Sequence, residues 1–214
     1  MRYEVDDIVK EVRIAIDQNM TSDALANLGD IDTLSLEQII RSKIAVGARI
    51  VESQAPFYLL DSGKAFADNI TWVQERGKGW GWILLPDDFL RLVVFQMTDW
   101  THEVCTPITA DDALYAQQFS RYPGIQGNPQ KPVVAIVQKP VGLVLEFFTS
   151  MAGEEAYVKQ ARYIPIPRIE NNAIELCEKL HDAIVYEAAY LTALSTGQTD
   201  LATNLLNIKN ELTS

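Results

Sequence analysis

The sequence predicts an α+β fold: helical segments at both ends and a strand-rich middle. Three observations carry this. Val5–Gln18 and Ser35–Gln54 place apolar residues at helical spacing, and the segment 171–213 does so again in two pieces. Between them, short apolar runs alternate with Gly, Pro, Asn and Asp clusters, which is the pattern of strands and turns. One of these runs, Leu90–Met97, is apolar on both faces and so needs cover on both sides.

The first helix spans residues 5–18, with Val5, Ile8, Val9, Val12 and Ile16 on one stripe. Residues 19–33 form a polar connector with a short helical stretch at Ala24–Leu28. Ser35 and Gln38 have capping-box spacing and open a second helix that Pro56 stops. Gly47 lies on its apolar stripe at a cost of about 1 kcal/mol relative to Ala. It marks either simple tolerance or the close approach of a neighbour.

Thr71–Val73 and Gly81–Leu85 read as strands flanking a turn at Arg76–Gly79. Asp111–Phe119 reads as a short helix and Tyr122–Lys131 as a loop. Val133–Val137, Gly142–Phe148 and Tyr157–Ile164 are close enough in sequence for an antiparallel meander, which Pro165-Ile166-Pro167 closes. A long helix then runs over 171–194 with Asn171 as N-cap and Gly197 at its C′ position. Leu201, Leu205, Ile208 and Leu212 form the seam of a last helix, so 171–213 reads as a helical hairpin. The expected organisation is one domain over 1–214: helical over 1–55, β-rich over 56–168 and a hairpin over 170–213.

The chain carries 18 Lys and Arg against 29 Asp and Glu, a net charge of -11, with no run of basic residues. Stable nucleic-acid binding needs a basic face, so this balance argues against it. An acidic surface beside DNA instead repels phosphates and lets the polymer slide. Cys105 and Cys177 are far apart and do not make a disulfide framework. Cys177 falls on the apolar side of the expected helix, where a buried free thiol is the ordinary outcome. The N-terminal residues lack a signal pattern, and no apolar run approaches the ~20 residues that span a bilayer. The expectation is no membrane and a reducing cytoplasm, or something assembled there.

Little points to catalysis. His102 and His181 lack partners at metal-ligand spacing, and Cys105 three residues after His102 is not a zinc pattern. Asp61-Ser62-Gly63-Lys64-Ala65 lacks the first glycine and the Ser/Thr of a phosphate loop. Asp87-Asp88 and Asp111-Asp112 could serve a carboxylate-dependent hydrolase, but adjacent aspartates beside turns and helix starts more often cap them. No catalytic residue, cofactor or metal is assigned. The four tryptophans have two readings, core or interface anchor. Trp82 and Trp100 read as core, and Trp80, between glycines, as an interface anchor.

In order, the chain presents two helices, Leu85-Pro86-Asp87-Asp88-Phe89-Leu90-Arg91-Leu92, the loop Gly127-Asn128-Pro129-Gln130-Lys131-Pro132, and the strand Gly142–Phe148. Tyr157, Tyr163-Ile164-Pro165 and a helical tail beginning Thr199-Asp200-Leu201-Ala202 follow. This pattern resembles the head-to-tail connector (adaptor, or neck ring) proteins of tailed bacteriophages, nearest to those of short-tailed and crAss-like phages. The resemblance implies a structural virion protein assembled in the host cytoplasm. It implies a ring, commonly of about twelve copies, bound to the portal and to tail or other neck proteins, with DNA passing through the lumen during ejection. It implies no catalysis. Arg76, Lys78, Trp80 and Trp82 become candidate interface residues on a glycine-rich arm whose cover comes from a neighbouring subunit. The alternative from a different class is a cytoplasmic module that binds a partner through the 171–213 hairpin.

Overall fold

The computed structural model describes residues 1–19, 35–66, 69–73, 79–120, 122, 124–149 and 155–214. The architecture is mixed α and β, with antiparallel strand pairs and one parallel pair among the described residues. The short helix expected at Ala24–Leu28 lies outside those residues. The chain forms two compact units, one from Met1–Asp61 with Ile166–Ser214 and one from the contiguous Ser62–Pro165.

The first unit opens with strand β1 (Arg2–Glu4), helix α1 (Val5–Asn19) and helix α2 (Leu36–Gln54). The stripe expected of α1 is its buried face: Val5, Ile8, Val9, Val12, Ala15 and Ile16. Helix α2 starts on a complete capping box. Gln38 N–H donates to Ser35 Oγ at 3.4 Å, and Ser35 N–H donates to Gln38 Oε1 at 3.2 Å. Such a cap contributes about 1 kcal/mol. The helix ends at Ala55, directly before Pro56.

The second unit holds β2 (Lys64–Ala65), β3 (Thr71–Trp72), β4 (Gly81–Leu84), β5 (Phe89–Met97), β6 (Ile108–Thr109), helix α3 (Ala113–Gln117), β7 (Val134–Lys139), β8 (Gly142–Phe147) and β9 (Val158–Pro165). Two sheets result, ordered β2-β9-β5 and β3-β4-β8-β7-β6. The expected meander forms only in part. β7 and β8 pair antiparallel, but β9 leaves them and pairs with β5 from Phe89–Pro165 to Met97–Val158. The cause is valence: β8 has β7 on one edge and β4 on the other, so no edge remains for β9. The two-faced strand β5 takes it instead. Leu92, Phe95, Met97, Ile83, Leu145, Phe147 and Trp100 then share one buried core, which bears out Trp100 as a core residue.

The chain returns to the first unit through β10 (Ile169–Glu170), β11 (Ala173–Glu175), α4 (His181–Ser195) and α5 (Thr199–Leu212). The helix expected from Asn171 therefore starts only at His181. Asn171 and Asn172 have φ of 51° and 61°, which is a two-residue β-hairpin turn of the kind that needs positive φ at both positions. It joins β10 to β11, with Ile169 opposite Ile174. β11 also pairs with β1, so Pro165-Ile166-Pro167 does not end the strand region. Ile174, Cys177 and Leu180 are buried, but their spacing of three belongs to a strand, a loop and a 3-10 turn.

Helix α4 is buried on most sides, against α1, α2 and α5. Gly47 of α2 lies on it: a Cβ there would stand 3.2 Å from the Ala188 nitrogen. Close approach explains this glycine. Gly197, at φ 77°, ends α4 with Gln198 N–H donating to Ala193 O and Gly197 N–H to Leu194 O, the two bonds of a Schellman cap.

Candidate functional site

Alternation along a strand sends neighbouring side chains to opposite faces. In β8, Leu145 and Phe147 enter the shared core, so Glu146 points to the other face of the five-stranded sheet. Register places Trp82 of β4 and Ala135 of β7 on either side of it. Glu146 is nonetheless 2% exposed, and a buried carboxylate must be paired. It is paired twice. Lys139 Nζ, brought round by the β7–β8 turn, stands 2.6 Å from one oxygen. The Tyr115 hydroxyl of α3 donates to the other at 2.8 Å. Asp112 fixes where α3 begins by accepting from Leu114 N–H at 2.8 Å.

Aromatic rings close over this pair. The Lys139 ammonium lies 5.5 Å from the Trp80 ring centre and 5.3 Å from that of Trp82, within cation–π range. Trp80 stacks on Phe148 at 6.4 Å and meets Phe119 edge-on at 6.3 Å. Tyr115, Phe119 and Phe148 touch one another edge-on. The cover expected from a neighbour is thus supplied in part by the chain itself. Leu84, two residues after Trp82 on the same face, is 49% exposed and Phe119 37%, so apolar surface continues outward from the cluster.

Trp82 is half-buried on this outer face rather than in the shared core. Arg76 and Lys78 lie outside the described residues. The aspartates that could have served a hydrolase have separate tasks: Asp112 caps α3, and Asp88 accepts from the Tyr163 hydroxyl at 2.7 Å. Asp87 and Asp111 are exposed. Burial, with Asp88 beside it, pushes the Tyr163 phenol up to about 12. The phosphate-loop-like segment is tied down by Arg162, which donates to the Ser62 and Gly63 carbonyls at 2.6 and 2.9 Å. Cys177 is a buried free thiol, pushed up to about 12 mainly by burial. Its backbone N–H donates to buried Glu52 at 2.9 Å, and burial raises the Glu52 carboxyl.

Among the described residues no group of three or more His, Cys, Asp or Glu side chains could hold a metal ion, and no helix is long and apolar enough to cross a membrane. The seam residues Ile184, Ala188, Leu201 and Leu205 are buried within the first unit. Both oxygens of Glu146 are engaged, one by Lys139 and one by Tyr115. Sequence reasoning found Trp80 and Trp82 but missed Glu146, Lys139 and Tyr115. The signal was available: Glu146 is the one charge in an apolar run, Gly142–Phe148.

Compared with known proteins, the chain matches no family model and no curated protein.

Proposed function

We propose that the protein is a structural virion component that forms a ring in the head-to-tail connector beneath a portal. It joins capsid to tail and leaves a channel for DNA. On this reading α1 and α2 pack with an α4–α5 hairpin as the helical bundle of each subunit, and the β-rich unit carries the contacts. The observation that carries the proposal is the aromatic face of the five-stranded sheet. Trp80 and Trp82 lie against the Lys139 ammonium, which is paired with buried Glu146, and exposed Leu84 and Phe119 extend the apolar surface. Preorganised Trp rings with an apolar margin are what a protein–protein contact uses. The resemblance of the order of sequence segments to that of neck-ring proteins, and the net charge of -11, suited to passing DNA without holding it, add to the reading. It needs no catalytic residue and no cofactor.

Native mass measurement and electron microscopy of the purified protein, alone and mixed with portal protein, test it. Rings of about twelve copies, free or on the portal, are expected. A protein that stays monomeric in both conditions overturns the proposal.

A further inference from the structure

Three glutamate side chains are buried among the described residues: Glu52, Glu146 and Glu187. Two of them face an ammonium, Glu146 with Lys139 at 2.6 Å and Glu187 with Lys209 at 3.5 Å. Glu52, in the last turn of α2 and 3% exposed, has no such partner among the described residues. It accepts from the Cys177 backbone N–H at 2.9 Å. The other groups facing it are the Cys177 thiol, the Asp61 carboxylate and the Met1 ammonium. That ammonium is committed elsewhere, 2.5 Å from the Leu176 carbonyl oxygen and 3.8 Å from Asp61. Lys179, two residues after Cys177, donates to the Tyr58 carbonyl at 2.9 Å instead. A buried carboxyl without a cation is better accommodated neutral, and burial holds this one above the ordinary carboxyl range.

The backbone that Glu52 holds belongs to the connector 176–180, between β11 and α4. Few bonds fix this connector. Leu176 N–H donates to the Met1 carbonyl at 2.8 Å, Cys177 N–H donates to Glu52, and Glu178 and Lys179 are exposed. We propose that Glu52 is a pH-sensitive latch on this connector: protonated, it keeps 176–180 closed against the end of α2, and ionised, it lets the connector lift so that water reaches the carboxylate. The opening is local, because a helix end and a short connector open at less cost than a core. A carboxyl raised in the folded state favours the closed form at low pH, and that preference is lost as pH rises through the folded value. The latch therefore closes on acidification and opens toward neutrality. Opening uncovers Cys177, which is 4% exposed when closed.

The test is thiol labelling of the full chain with methyl methanethiosulfonate, in a Cys105→Ser background that leaves Cys177 as the only thiol. Rates are read from about pH 5 to about pH 7, below the ordinary α-amino range. Each is divided by the rate of the same protein unfolded in urea at that pH, which removes the thiol's own ionisation. The normalised rate should rise by at least about fivefold across the range, the equilibrium equivalent of leaving one buried polar group poorly satisfied. Glu52→Gln keeps the acceptor for Cys177 N–H without a titrating proton, and its normalised rate should stay flat. Asp61→Asn should keep the rise. Low urea should leave the rate nearly unchanged, since a local opening exposes little surface. Backbone amide exchange of Cys177 and Leu180 in the unsubstituted protein, corrected for its intrinsic pH dependence, should show the same rise and requires no variant to fold. A flat wild-type profile, an equal rise in Glu52→Gln, loss of the rise in Asp61→Asn, or a urea dependence as steep as that of global unfolding overturns the proposal.

Discussion

Glu146 and Lys139 show how a single residue pair can set the properties of a surface. A buried ion pair is weak as a source of stability but costly to break from one side, because the remaining charge has no partner. Glu146→Gln should cost about 2–4 kcal/mol in urea unfolding, below the full buried-pair loss because Lys139 keeps some solvent access. The double change to leucine and methionine should recover most of it, and a double-mutant cycle measures the difference. Two other buried groups make stability depend on pH. The folded Tyr163 phenol titrates near 12 against an ordinary 10.0, so the folded protein holds this proton more tightly. Its contribution is complete below pH 10 and is lost as pH rises toward 12. Tyr163→Phe should flatten alkaline unfolding over that window. The Glu52 carboxyl is also raised, by burial. Its contribution is present below the ordinary carboxyl range and is lost as pH rises through the folded value. Glu52→Gln keeps an acceptor for Cys177 N–H and should raise stability at neutral pH by about 1 kcal/mol, read as a higher thermal midpoint.

Elements were legible where the signal was local. The Ser35–Gln38 box, Pro56 and the stripe of α1 specify their helices within a few residues, and the two-faced run of β5 is visible from composition alone. What could not be read was choice among partners. The sequence of β9 says strand, but its pairing with β5 rather than β8 depends on β4 taking the second edge of β8, a fact about residues far back in the chain. The late start of α4 was hidden for another reason. Asn is a good N-cap and a good positive-φ turn residue, and apolar steps of three at Ile174, Cys177 and Leu180 imitate a helix. Glu146 was hidden because a lone charge in a strand says only that a partner exists. The turn assignment has a direct test: Asn171→Gly should change stability by only a few tenths of a kcal/mol, while Asn171→Val should cost about 1–2 kcal/mol. At the α2–α4 contact, Gly47→Leu should cost about 2–3 kcal/mol by overpacking against Ala188. Chemical denaturation reads both.

At the scale of the whole molecule, the proposed ring assembly makes the outer face of the five-stranded sheet the place where effects on folding and on assembly should separate. Trp80→Ala removes contacts with Phe119 and Phe148, so it should lower stability by about 1–3 kcal/mol. If the proposed assembly forms, Trp82→Ser should leave the fold near native but remove rings or portal-bound multimers in sedimentation experiments. Loss of monomer folding in step with assembly would return Trp82 to a purely internal role. The boundaries of the two units add a consequence in time. The first unit is assembled from 1–61 and 166–214, whereas the second occupies 62–165 without interruption. During synthesis α1 and α2 emerge before the second unit, yet α4, which packs against both, is made only after it. The middle of the chain is therefore ready to fold while its predecessor waits. A 62–165 fragment should give a dispersed spectrum and a 1–61 fragment should not. Variants that slow the middle should lengthen the interval during which the apolar stripes of α1 and α2 stay uncovered and open to chaperones.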